Sequence, residues 1–296
     1  MKRFAIFSDL QAHRYKTFLN STRKSNTRLH NAVLVLERVF SYALENNIPA
    51  IFAGDLFEDR NSVDIETLNE VKKVFRSFHE RGLQIVAING NHDLTGDLRH
   101  SSVKLMEPYC YAMSMPTVFQ GITFYPYIGK NEEAVSKVKK FMATDKCPIR
   151  IMHYGFKDVP YKNFFIGNEP LSAEDLPSKG VTFCGHFHDY DEVPGRRSGN
   201  EIVFVGSSQF CDRQDSWRTP VFLDVSLEND KVSWTKLWTG SMIYAPFRLH
   251  SEKEVSAFLK MLNHPDIAHV FSHLCLELIL DSSVLSKIDT DELRNT

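Results

Sequence analysis

Five short apolar runs punctuate the first two thirds of the chain: "RFAIFS" (3–8), "PAIFAGD" (49–55), "LQIVAING" (83–90), "PIRIMHY" (148–154) and "GVTFCGH" (180–186). Each stops at a polar or glycine-containing turn, with an Asp, Asn or His at or just past its end, as buried strands do. Amphipathic segments lie between them: Arg28 to Asn46, Asp64 to Arg81 closed by Gly82, and Asn131 to Met142. In the last, Asn131 reads as the cap, with Glu132 and Glu133 in the first turn. Strand–helix–strand order predicts a layered α/β domain.

From about Asp189 the texture changes. "EIVFVGSS", "PVFLDVSL", "KVSWTKLW" and "MIYAPFRL" follow one another closely, separated by turn signals such as "PGRRSGN" and "ENDK". This predicts an antiparallel β section that extends the same core. The end of the chain reads as strand (Ile243–Leu249), helix (Ser251–Leu262) and strand (Leu274–Leu280), a small α/β cap. A boundary near Gly240 divides residues 1–240 from a cap region, 241–296.

Composition narrows the function. A chain of 296 residues, 43% hydrophobic and 24% charged, can bury one large core. Its net charge of -2 excludes a generally basic nucleic-acid binder, so a polyanion would be held by a local patch or by metal ions. The cysteines (Cys110, Cys147, Cys184, Cys211 and Cys275) are scattered and form no C-x-x-C pair, which argues for a reducing compartment. "MKRFAIFSDL" is cut by Asp9 far short of a signal-peptide core, and no window approaches a membrane span, so the expected location is cytoplasmic.

The chemistry lies at the strand ends: Asp9, Asp55, Asn91 with His92, His153, and then His186 and His188. A lone Asp there is usually a turn-former. "AGDLFE", "NGNHD" and "CGHFH" all place polar residues just past an apolar run, on what would be one edge of a parallel sheet. In an extended "GHFH", His186 and His188 face one site while Phe187 turns into the core. Gly54 and Gly90 leave room for tight turns beside a crowded centre. Carboxylates, imidazoles and an amide oxygen suit two ions of manganese, iron or zinc better than calcium.

Asp9, the "GD" of Gly54–Asp55 with Glu58 beyond it, "GNHD", His153 and "GHFH" together resemble the calcineurin-like metallophosphoesterase superfamily over roughly residues 1 to 240. Within it, "AGDLFEDRNS", "NGNHDLTGD" and "GHFH" followed by "VGSSQF" resemble the SbcD-type DNA nuclease branch, including phage-encoded forms. The resemblance implies a layered β-sandwich flanked by helices. It makes Asp55 the bridging carboxylate, puts Asp9 and His188 on the first metal, and Asn91, His153 and His186 on the second. His92 would be the catalytic imidazole, with Glu58 orienting it or merely a surface carboxylate. The implied cofactor is two divalent ions, manganese first, with iron, zinc or magnesium as substitutes. The implied reaction is phosphodiester hydrolysis of DNA in recombination or repair. Nucleases of that branch dimerise and work with an SMC-type (SbcC-like) ATPase. The cytoplasm would be that of a bacterium, or of the host for a phage protein. A phosphodiesterase or phosphatase on small nucleotides or phosphoproteins, and a metal-poor binding scaffold on the same fold, stand as the alternatives.

One position departs from the pattern. The family has Asp-x-His where this chain has Asp9-Leu10-Gln11. Three readings stay open: Gln11 ligates the first metal through its amide oxygen, His13 substitutes, or the first site is half empty. Beyond it, "HRYKTFLNSTRKSNTR" carries Arg14, Lys16, Arg23, Lys24 and Arg28 with no acidic residue, which reads as a phosphate-backbone clamp, with His13 beside it, or as a solvated loop. The loop "HYGFKDVPYKNFF" either stacks on unpaired bases or packs on the body.

Overall fold

The computed structural model describes residues 1–15, 19–20, 25–95, 100–161, 164–165, 167–194, 200–262, 264, 274–280 and 284. The strands in chain order are β1 (Arg3–Phe7), β2 (Leu19–Asn20), β3 (Ser25–Asn26), β4 (Ala50–Phe52), β5 (Ile85–Ile88), β6 (Tyr111–Met113), β7 (Thr117–Phe119), β8 (Ile122–Tyr125) and β9 (Ile149–Met152). They continue as β10 (Pro160–Tyr161), β11 (Phe164–Phe165), β12 (Gly180–Cys184), β13 (Asp191–Pro194), β14 (Asn200–Phe204), β15 (Val221–Glu228), β16 (Lys231–Trp238), β17 (Ile243–Leu249) and β18 (Leu274–Leu280). The helices are α1 (Thr27–Glu45), α2 (Ile65–Glu80), α3 (Glu132–Met142) and α4 (Glu252–Leu262).

Alternation along β1 separates two cores. Phe4 and Ile6 join Ile51, Val86, Ile88, Phe124, Ile151, Phe183 and Val203 between two sheets, whereas Ala5 and Phe7 join Val35, Val39, Phe40 and Phe75 under α1 and α2. Full burial of each such side chain contributes about 1.5–3 kcal/mol, so the strand ends project from a rigid body. One sheet runs β16-β15-β1-β4-β5-β6, with β1, β4, β5 and β6 parallel, β15 antiparallel to β1 and β16 antiparallel to β15. The other runs β13-β14-β12-β9-β8-β7, parallel from β14 to β8 and antiparallel at both edges. A third core packs α3 and the loops after β9 onto its outer face. The result is a β-sandwich flanked by helices.

The helices begin where the caps predict: Asp64 accepts from the Thr67 N–H at 3.0 Å, and Asn131 from the Ala134 N–H at 2.8 Å. Two expectations are corrected. The strands ending near Asp9, Asp55 and Asn91 lie in one sheet and those ending near His153 and His186 in the other, so the motifs do not share one sheet edge. The β-rich section does not stay together either: β14 lies parallel to β12, β15 and β16 return to the first sheet, and β17 leaves both to pair in parallel with β18 beside α4. The β6–β8 stretch was not foreseen, because runs of three or four residues, two of them part-exposed, lack the period that marks a strand.

Candidate metal centre

The two sheets meet where their parallel strands end. An isolated bridge between Ser8 and Ser207 joins them, and the chain past β1 follows the chain past β4, with the Asp9 N–H on the Gly54 carbonyl and the Gln11 N–H on the Asp55 carbonyl, both 2.9 Å. Asp9 (φ 50°), Gln11 (φ 45°), Asp55 (φ 61°) and His186 (φ 89°) all take left-handed backbone conformations, a concentration of strain that marks functional sites. "GHFH" is therefore not an extended strand. His186 and His188 still face one centre and Phe187 is buried in the third core. At Gly90 a Cβ would collide with the Asp55 carboxylate, so only glycine lets this turn close over it.

Each of three imidazoles commits one nitrogen to a protein acceptor and turns the other inward. His153 Nδ1 donates to the Ala53 carbonyl (2.7 Å), leaving Nε2 at 3.2 Å from both Asn91 Oδ1 and Asp55 Oδ2. His186 Nε2 faces Glu169 Oε1 (3.2 Å), leaving Nδ1 at 2.7 Å from Asn91 Oδ1. His188 Nδ1 faces Asp215 Oδ2 (3.3 Å), leaving Nε2 at 3.4 Å from Gln11 Nε2 and 4.0 Å from Asp9 Oδ1. Reversing the Gln11 amide, whose O and N are interchangeable by shape, turns its oxygen to the same place. Asp9 Oδ2 accepts the His186 N–H (3.0 Å), while Oδ1 is buried without a hydrogen-bond partner.

These residues fit a divalent cation. Lone pairs of carboxylate, amide and imidazole converge at separations near the roughly 3 Å expected of neighbouring ligands about an ion at ~2.1 Å. Asp9, Asp55 and His153 bring donor atoms within 4.8 Å of one another. The charge agrees. Burial alone would lower the His153 imidazole, yet Asp55 and Asp9 hold it at about 9. Burial opposes and Asp215 and Asp9 prevail at His188, also at about 9. Burial would raise Asp55, but His153 keeps it below the usual carboxylate range, whereas burial does push Asp9 up. Buried carboxylates draw protons onto these rings, and a cation among the same atoms would take over that compensation and release them.

His92 stands to one side of this cluster. Its N–H donates to Asp55 Oδ1 (2.7 Å) and its Nδ1 to the Glu58 carbonyl (2.6 Å), so Glu58 meets His92 through its backbone and not its carboxylate. The Glu58 carboxyl is pushed up, by burial first, and its Oε2 is buried without a partner. His92 and Glu58 line a cavity of about 380 Å³ with His13, Tyr15, Asp59, Arg60 and Asn61. Asp93 is a buried keystone that accepts the backbone N–H groups of Asp55 (2.8 Å), Gly90 (2.9 Å) and Leu56 (3.1 Å) and the Ser102 hydroxyl (2.8 Å). Burial, with Asp55 nearby, raises its carboxyl to about 6.

The basic stretch needs one correction. Arg28 is 1% exposed, its guanidinium bonded to the Phe210 carbonyl and stacked 3.8 Å from the Phe210 ring, so it braces the fold and does not meet a phosphate. Its place in the first turn of α1 turns it inward, which local charge could not reveal. Arg14 is exposed and paired with Glu66 at 3.2 Å, and His13 packs edge-on against Tyr15. Lys16, Arg23 and Lys24 lie outside the described residues. In the loop after His153, Tyr154 and Phe156 are buried, as the packing reading expects. Glu169 and Asp215 had no sequence signal.

With this geometry in view, the family is plain: the chain belongs to the calcineurin-like phosphoesterases, whose family model matches residues 2–238. These are hydrolases built around a divalent metal centre. Among particular relatives, the chain is 25% identical over 181 residues to the DNA double-strand break repair protein Mre11 of Methanocaldococcus jannaschii, an overlap of 56% of this chain and 46% of that protein. The chain thus spans about half the length of this curated relative. A dimetal phosphatase from Danio rerio superposes with a TM-score of 0.54 at 10% identity, covering 80% of this chain and 96% of that one, a likeness of fold. No helix among the described residues is long and apolar enough to cross a membrane.

Proposed function

We propose that the protein is a two-metal phosphodiester hydrolase acting on DNA, a nuclease of recombination or repair. The observation that carries this reading is Asp55, buried between both groups of ligands, with one oxygen toward His153 and the other on the His92 backbone. Asp55 with Asp9, Gln11 and His188 would hold one ion, and Asp55 with Asn91, His153 and His186 the other. Manganese suits this mixed N/O set with its neutral amides, and iron, zinc or magnesium could replace it. Bound ions would supply Lewis acidity at the phosphodiester and a nucleophile at neutral pH.

The chain's own residues do the rest. Because His92 Nδ1 donates to a carbonyl, its Nε2 carries a proton only in the imidazolium form. In that form His92 would stabilise or protonate the departing oxygen at the mouth. DNA as substrate is supported by the similarity to the Mre11 protein and by Arg14 beside the mouth, with Lys16, Arg23 and Lys24 on the same stretch. Arg28 drops out of that clamp. On this reading the protein is cytoplasmic, dimerises and serves an SMC-type ATPase.

The test is manganese-dependent digestion of single- and double-stranded DNA beside a small aryl phosphodiester, with a chelator control. DNA left intact while the aryl ester is cleaved would favour the small-substrate enzyme. Protein that binds no manganese would favour the scaffold.

A further inference from the structure

Resting on the two-ion reading, we infer that Glu169 and Asp215 are positioning residues, each serving one ion: Glu169 fixes His186 for the second, and Asp215 fixes His188 for the first. His186 and His188 are two residues apart in the chain, yet their outer nitrogens point to carboxylates from different loops, one before β12 and one before β15. Both carboxylates are buried, their side chains 4% and 2% exposed. A carboxylate on the outer nitrogen sets the tautomer, leaves the inner nitrogen with its lone pair, and makes that nitrogen a stronger donor.

Each carboxylate is itself held. Glu169 Oε1 also takes the Lys130 ammonium at 3.0 Å, so the same oxygen that faces the ring is anchored by an ion pair. Gly155 makes its room: a Cβ there would lie 2.8 Å from the Glu169 side chain. Asp215 Oδ2 accepts the N–H groups of Cys211 (2.6 Å) and Asp212 (3.1 Å), and Oδ1 takes the Arg218 guanidinium (2.5 Å).

That commitment decides between two uses of the cluster. His188, Cys211 and Asp215 lie close enough to hold a metal ion together. Asp215 Oδ2 already carries two backbone donors and faces His188, and the Arg218 guanidinium on Oδ1 would repel an ion there. The carboxylate orients His188 and does not ligate.

The experiment is a Mn2+ titration of the full chain by calorimetry, with bound metal counted after gel filtration, on wild type, Glu169→Ala, Glu169→Gln and Asp215→Asn. Wild type is expected to bind two ions. Glu169→Ala should weaken one by about 10–100-fold and leave the other unchanged, and Glu169→Gln, which keeps an acceptor oxygen, should recover part of the loss. Asp215→Asn should weaken the other ion. In an Asn91→Ala background, already without its second ion, Glu169→Ala should add nothing while Asp215→Asn weakens the ion that remains. Variants that melt like wild type and give its circular dichroism spectrum yet bind both ions with wild-type affinity would overturn the inference, as would equal weakening of both ions by either change. A wild type that binds no Mn2+ would overturn the two-ion reading itself, and the positioning roles with it.

Discussion

The two halves of the centre use similar donors but are not built alike. In the second half, the inward nitrogens of His153 and His186 already lie 3.2 and 2.7 Å from Asn91 Oδ1. In the first, around Asp9, Gln11 and His188, the inward atoms stand 3.4–4.0 Å apart. The first half is wider, and if two ions bind as proposed, the ion held there would be the exchangeable one. On the proposed two-ion reading, a preformed half and an open half around one shared carboxylate would let the protein keep one ion while the other exchanges.

The most severe way to break the contrast is to remove what both halves share. Asp55→Ala should abolish tight binding of both ions and reduce hydrolysis to background, measured by metal counting and DNA digestion. His92→Ala touches neither half and should lower kcat by about 10²–10⁴-fold with both ions still bound. Loss of metal in that variant would place His92 among the ligands.

Position 11 sharpens the contrast. Gln11→His should lower the manganese needed for half-maximal activity by about tenfold, because imidazole is the stronger donor, and Gln11→Ala should raise it, with the second ion unmoved. His13→Ala should leave the titration unchanged, and a metal defect at 13 with none at 11 would reverse the assignment. Behind the first half, Arg28 bonds the Phe210 carbonyl while the adjacent Cys211 thiol donates to the Asp9 carbonyl at 3.4 Å. Arg28→Gln should therefore cost about 1–3 kcal/mol in urea unfolding, far more than loss of a surface phosphate contact would.

The smallest effect is expected at the other end of β1, where Arg3 pairs with Asp224 at 2.6 Å. Burial alone would raise the Asp224 carboxyl, but hydrogen bonds from Arg3 and Tyr42 hold it below its ordinary value. Its contribution is thus present above the unfolded pKa, near ~4, and lost as pH falls through the lower folded value. Arg3 is 44% exposed at its side chain, so screening keeps this below about 1 kcal/mol. Asp224→Asn should flatten the loss of urea midpoint between pH 6 and pH 3 slightly, without moving metal affinity.

The strands, the helix caps and the polar residues that converge were legible because each is written locally: an apolar run, then Asp, Asn or His at its end. Asp9, Asp55, Asn91, His153, His186 and His188 could be picked out by eye, and Gln11 stood out as the departure. Tertiary structure alone decided that these ends come from two facing sheets, that Arg28 turns inward, that Glu58 reaches His92 through its carbonyl, that Asp93 ties the turns together, and that Glu169 and Asp215 stand behind the two histidines. Most of those contacts join residues far apart in the chain, up to 182 positions, and side-chain pairing over such spans leaves no period in the sequence to read.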